Sequence, residues 1–190
     1  MPFYLEELRH FSTGTSGLLL TPYTLVIALV APASGALADR FGTRWLAAGG
    51  MTIACVGLVL LGSLDASAPK ADVIWRLGLA GLGQGMFQSP NNSAILGAVP
   101  ANRQGVASGI LATGRVLGQC LSVAIAGAVF SSLGGASAGR ALATAATPEI
   151  ADALSVTFLH AFRATLWVSA ALALLAAAAS LIRGKEARPV

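Results

Sequence analysis

Charge is the scarcest commodity in this chain. Its 190 residues hold 12 lysines and arginines, 8 aspartates and glutamates and 2 histidines, 11% charged against 55% hydrophobic. So little polar surface cannot coat a water-soluble globule, and a mean hydropathy of +0.74 makes the bilayer the expected solvent. Cysteine is nearly absent. Cys55 and Cys120 fall inside apolar stretches and offer neither a disulfide framework nor metal-ligand spacing. His10 and His160 form no ligand pattern, and no serine has the neighbours of an activated nucleophile. No metal, cofactor or enzymatic activity is expected. The net charge of +4 carries no basic run or aromatic-interleaved patch, so nucleic acid is not an expected partner.

What is present is a series of long apolar stretches. A hydrocarbon core ~30 Å thick needs roughly 20 mainly apolar helical residues per crossing, and five stretches meet that: 16–37, 45–64, 76–99, 105–133 and 157–182. The expectation is an all-α integral membrane protein of about five transmembrane helices. Residues 1–15 read as the end of a preceding helix plus an external loop, 134–156 as a second external loop and 183–190 as a cytoplasmic tail. This sidedness follows from charge. The loops at 39–44 and 100–104 and the tail hold Arg40, Arg44, Arg103, Arg183, Lys185 and Arg188 against Asp39 and Glu186. The opposite side holds Arg9, Lys70 and Arg140 against six acids. By the positive-inside rule the tight loops and the C-terminus are cytoplasmic. An external start with no signal segment, at Met1-Pro-Phe-Tyr-Leu5, reads as the last turn of a helix whose body lies upstream, so a fragment is expected.

The spans differ in kind. The second and fifth carry almost no strong hydrogen-bonding side chains and read as lipid-facing, while the first, third and fourth hold prolines, clustered glycines, amides and one arginine, which favour a protein-facing or wet environment. At about 100° per residue, Gln104, Ser108, Arg115, Gln119 and Ser122 share one arc of the fourth span. The pairs Gly105/Gly109 and Gly114/Gly118 predict close helix approach on two faces, hence a central, tightly packed helix. In the third span Gln84, Gln88 and Asn91 fall on one face at i, i+4 and i+7. Pro90 removes the N–H that Met86 would accept, so a bend with a free acceptor is expected there. The amides either bridge helices or line a site. Arg115, ~15 Å deep at 1.5 Å per residue, must point to a partner or water, as a functional residue or a structural clamp. No acid lies within any of the five spans. If transport is proton-driven, only His160 is a weak titrating candidate here, and the main carboxylate would lie upstream. Gly81-x-Gly83-x-Gly85 looks superficially like a dinucleotide loop, but its spacing is wrong and no strand precedes it. The sequon Asn91-Asn92-Ser93 sits inside a span.

Gly35-Ala-Leu-Ala-Asp39-Arg40-Phe-Gly42-Thr-Arg44 resembles the G-x-L-a-D-R-x-G-x-R/K signature of major facilitator transporters, which joins two helices by a short cytoplasmic loop. Gly85-Met-Phe-Gln-Ser-Pro90-Asn-Asn-Ser-Ala94, Arg103-Gln-Gly-Val-Ala-Ser-Gly109 and Arg115-Val-Leu-Gly118 resemble the drug:proton antiporter branch of EmrB/QacA type. With Pro2-Phe-Tyr-Leu5 the resemblance covers nearly the whole chain. It implies the C-terminal helical bundle of a major facilitator fold, two halves rocking about a central site, and a multi-pass protein of the plasma or inner membrane. The expected function is proton-coupled efflux of drugs or small lipophilic metabolites, with Gln84, Gln88, Asn91, Arg115 and Gln119 lining the cavity. The expected partners are the lipid bilayer, a small-molecule substrate and a missing N-terminal half. The alternative is a non-transporting membrane scaffold or assembly partner left by truncation.

Overall fold

The computed structural model describes residues 1–142 and 147–182, and every regular element among them is helical. A single wide turn, Tyr4–Leu8, precedes α1 (Thr13–Phe41), α2 (Thr43–Gly62) and α3 (Lys70–Gly97). A short 3₁₀ turn at Ala101–Arg103 leads into α4 (Gln104–Ser132), followed by α5 (Gly135–Leu142) and α6 (Pro148–Ile182). The expected tail from 183 to 190 lies outside the described residues.

The helix starts follow local chemistry. Ser12 caps α1, its Oγ accepting from the Thr15 N–H at 3.3 Å. The expected loop over 134–156 is largely helical instead. Thr147 takes the Ile150 N–H at 3.4 Å, Pro148 stands at the first helical position where its missing N–H costs nothing, and Glu149 complements the dipole. That cap signature starts α6 nine residues before the apolar run at 157. Between α1 and α2 the chain turns on one residue, Gly42, whose φ of +86° a side chain would strain.

By length and apolarity α1, α2, α6 and α4 with its preceding turn could each cross a membrane. Of the five expected spans, the third falls short of that measure. α3 carries Lys70, Asp72 and Arg76 at its start and Gln84, Gln88, Asn91 and Asn92 further on, so its 28 residues lack a sufficiently apolar window. It is shielded by packing. α1 runs parallel to it and α2 antiparallel, and these are the most extensive helix contacts in the fold.

The run Gly81-x-Gly83-x-Gly85 explains how. At about 100° per residue, positions 81 and 85 share a face and 83 looks the other way. A Cβ on Gly81 would come within 2.6 Å of the Tyr23 carbonyl oxygen and one on Gly85 within 3.1 Å of Val30, both on α1. A Cβ on Gly83 would lie 2.3 Å from Ala54 N and 2.5 Å from Gly50 O on α2. Gly50 and Gly57 return the contact from α2, and Gly35 on α1 leaves room for Ser89. The second helix is therefore not simply lipid-facing: Ala47, Ala48, Gly50, Ala54, Gly57 and Leu61 are buried, while Val56 and Val59 stay exposed.

α3 also passes Pro90 without a break. The expected free acceptor at Met86 is occupied: Ser34 Oγ lies 3.3 Å from both the Gly85 and Met86 carbonyls, from a side chain only 3% exposed. One hydroxyl on a neighbouring helix thus satisfies the acceptor that the proline orphans.

The expectation of a central, tightly packed fourth helix is not met within this chain. A Cβ on Gly105, Gly109, Gly114 or Gly118 would meet nothing within 4 Å, and Ala107 is the one buried residue of α4. Its apolar face is open, with Val106 at 68% and Leu117 at 65% exposed, and Arg115 and Gln119 on its polar arc are exposed as well. Small-xxx-small spacing permits close approach but does not supply the opposing helix. α4 is held mainly near its C-terminal end, where Phe130 meets Phe158 of α6 edge to face at 5.2 Å.

At that same end the Tyr4 ring stacks on Phe162 at 5.2 Å, and its hydroxyl donates to the Asp65 carbonyl at 2.6 Å. Three arginines converge there on carbonyls of the last turn of α2 and of the loop that follows it. Arg76 donates to Leu60 O at 2.6 Å, Arg163 to Leu64 O at 3.4 Å and to Asp65 Oδ1 at 2.7 Å, and Arg9 to Ala66 O.

Three substitutions test the packing of α3 and the open flank of α4. Gly83→Ala is expected to destabilise the chain by about 3 kcal/mol, the upper range for overpacking, because both opposing atoms are backbone. Gly109→Ala in the same chain is expected to be neutral or stabilising. Ser34→Ala should cost about 1 kcal/mol by exposing the Met86 carbonyl. Unfolding by SDS titration in mixed micelles, read by helical circular dichroism, measures all three. A Gly83→Ala midpoint equal to that of the parent chain would contradict the α2–α3 contact.

Candidate functional site

Two clefts lie along α3, the first beside Ala80 and Gln84 and the second beside Gln88 to Leu96. The first, about 310 Å³, lies among α1, α2, α3, α4 and α6 and receives Gln84 together with Tyr23, Ser122 and Ser169. The second, about 340 Å³, lies between α1 and α3. It has an apolar wall of Ile27, Ala28 and Ala31 and a polar wall of Gln88, Asn92 and Ser93. Both volumes fall at the low end of the range for small-molecule sites.

The amide face expected from i, i+4, i+7 spacing is therefore divided. Gln84 and Gln88 line different clefts, and half-buried Asn91 lies outside both. Gln119 is exposed on α4 and lines neither. Arg115 reaches across from α4, its Nη2 donating to Asn92 Oδ1 at 3.1 Å. It lines neither cleft itself and meets the second only through Asn92 of the polar wall.

Asn92 is the site residue that sequence reasoning passed over. It stands four residues after Gln88, so the i, i+4 rule that selected Gln88 from Gln84 extends to it. Ser122 does belong to the polar arc of α4, though its own Oγ donates to Gly118 O at 2.7 Å. Tyr23 and Ser169 carry little sequence signal, since each stands among threonines in an otherwise apolar helix.

The loop residues occupy the other end of the bundle. Asp39 and Arg40 are exposed on the last turn of α1, Gly42 forms the joint, and the Arg44 guanidinium stands 5.6 Å from the Trp45 ring centroid. Gly35 sits inside α1 against Ser89, a packing position rather than part of the turn.

These groups can bind by hydrogen bonds from amides and hydroxyls and by one guanidinium. Among the described residues no three His, Cys, Asp or Glu side chains gather as metal ligands, and Cys55 and Cys120 are free thiols.

Comparison with known proteins places this helical arrangement in a family. The sequence pattern of the Major Facilitator Superfamily matches residues 1–190. The chain is 40% identical over 134 residues to the uncharacterized transporter YebQ of Escherichia coli, which covers 70% of this chain and 29% of YebQ. It is 39% identical over 132 residues to the riboflavin transporter RibZ of Clostridioides difficile, covering 70% of this chain and 28% of that protein. With the multidrug resistance protein Stp of Mycobacterium tuberculosis identity is 31% over 129 residues, covering 68% of this chain and 24% of Stp. The chain thus spans less than a third of the length of these relatives. Four long apolar helices, the polar third helix packed between two of them and the match along all 190 residues lead to one conclusion: this multi-pass membrane chain belongs to the Major Facilitator Superfamily, a family of transporters rather than enzymes.

Proposed function

We propose that the chain is the C-terminal helical bundle of a secondary transporter that exports drugs or small lipophilic metabolites in exchange for protons. The observation that carries this reading is the open flank of α4. A helix whose glycine pairs meet no neighbour among the described residues, whose polar arc touches the bundle at Arg115 and Ser122 while Gln119 stays exposed, and whose apolar face is uncovered supports an incomplete half of a larger helical assembly. Gly105, Gly109, Gly114 and Gly118 then serve as a close-approach surface for helices of an N-terminal half, and Arg115 and Gln119 face a cavity formed between the two halves.

The names of the relatives support transport of small organic molecules, since one is a riboflavin transporter and another a multidrug resistance protein. Gln84, Gln88 and Asn91 complete this side of the cavity from α3. In the proposed orientation the Gly42 joint is cytoplasmic, because Arg40, Arg44 and Arg103 gather at that end. The Asp39–Arg44 segment then stabilises one access state. The acids in the described helices stand near helix ends, so the proton-carrying carboxylate belongs to the N-terminal half.

Efflux of a panel of lipophilic dyes, driven by an imposed proton gradient, tests the reading. The chain alone is compared with the chain co-expressed with an N-terminal half. Transport is expected only from the pair and should vanish when a protonophore collapses the gradient. Absence of transport from a correctly assembled pair would remove the dye-efflux reading and leave a membrane scaffold. Gln88→Ala is expected to raise the KM of the pair roughly 2–10-fold, the loss of one net hydrogen bond, with membrane insertion unchanged.

A further inference from the structure

Charge in the described helices stands near their ends, with two exceptions, Arg163 in α6 and Arg115 in α4. Asp39 and Arg40 close α1, Lys70, Asp72 and Arg76 open α3, and Glu149 and Asp152 open α6. Arg115 lies eleven residues into α4, ~16 Å from its start at 1.5 Å per residue. The two ion pairs among the described residues, Arg76–Asp72 and Arg163–Asp65, both sit at the Asp65 end of the bundle. Arg115 has a different kind of partner. Its hydrogen bond at 3.1 Å goes to the neutral amide oxygen of Asn92, and among the described residues its charge has no ion-pair partner.

The cleft beside that bond is two-sided. Ile27, Ala28 and Ala31 present hydrocarbon from α1, and Gln88, Asn92 and Ser93 present amides and a hydroxyl from α3. A ligand seated there puts an apolar body against α1 and a polar head toward Asn92 and the guanidinium. The planar guanidinium fork matches a carboxylate in two parallel hydrogen bonds, and in a medium of low dielectric this pairing repels a cation as strongly as it attracts an anion.

We infer that the substrates are organic anions, carboxylate-bearing amphiphiles whose carboxylate is held by Arg115 at the Asn92 wall of the α1–α3 cleft and whose apolar part lies along Ile27, Ala28 and Ala31. This rests on the transport reading above and deepens it by naming the charge of what is carried. Asn92 acts as a positioning residue, turning the guanidinium toward the cleft.

Three probes that share one fluorophore separate the possibilities: dansylglycine, its neutral methyl ester and the cationic dansyl-ethylenediamine. In the assembled transporter, dansylglycine is expected to be carried in preference to the other two. Arg115→Gln should lower the carboxylate-to-ester transport ratio at least tenfold, Arg115→Lys should keep most of it, and Asn92→Ala should lower it less than Arg115→Gln does. If Arg115→Gln reduces carboxylate and ester together and leaves the ratio unchanged, the arginine is a clamp or a counter-ion for the other half and the assignment is overturned. Preference of the parent protein for the cation overturns it as well. Equilibrium binding of the same probes to the purified assembled protein in nanodiscs does not depend on transport. Binding of dansylglycine over its ester, lost in Arg115→Gln, upholds the anion site even where nothing is moved, and so separates this inference from the transport reading. Equal binding of the two overturns it.

Discussion

The contact of Gly83 with the backbone of Gly50 and Ala54 sets the distance between α2 and α3, and the rest of the bundle is arranged around that distance. α3 is the most polar of the long helices and the one that hydrocarbon would tolerate least. It is sheltered only because glycines on opposite faces let two helices close on it at once. Once α1 and α2 are drawn in, their own side chains fall into useful places. Ser34 reaches the carbonyls before Pro90, and Ile27, Ala28 and Ala31 become the apolar wall of a cleft. A polar helix inside a bilayer is thus made possible by the smallest residues in the chain.

A second constraint acts at the Asp65 end. Carbonyls of Leu60 in the last turn of α2 and of Leu64 and Ala66 in the loop after it are met by Arg76, Arg163 and Arg9, which come from three separate segments. The aromatic cluster of Tyr4, Phe158, Phe162 and Phe130 lies at the same end and gathers the first turn, α4 and α6. Packing and charge therefore both concentrate there, while the flank of α4 toward the Gly42 end is open.

Much of this was legible in the sequence and some was not, for identifiable reasons. Apolar runs located the long helices because burial in lipid demands length, and Gly42 announced its joint because a tight helix-to-helix turn demands φ that only glycine takes easily. α5 and the first turns of α6 were hidden because hydropathy ignores caps, although Thr147-Pro148-Glu149 spells one. The glycine spacing went unread at α3, and at α4 it meets no neighbour among the described residues, since spacing records the capacity for approach and not the presence of a neighbour. The partner of the Met86 carbonyl could not be read at all: Ser34 lies 52 residues away in the chain, and only the fold brings it near. The candidate site was half visible. Regular spacing found Gln84 and Gln88 and stopped short of Asn92, and it could not tell that α3 would place those two glutamines in separate clefts.

Gly42 has a mechanical consequence. A one-residue joint has no slack, so any tilt of α1 is passed at once to α2, and α3 is wedged against both. These three helices form a stiff frame in which a displacement at one corner is felt at the others. α4 is attached differently, through a short turn at one end and an aromatic contact at the other, with its exposed middle tied to α3 through the Arg115–Asn92 hydrogen bond. The bundle is built as a frame and a beam, and compliance belongs to the beam, the member that carries Arg115.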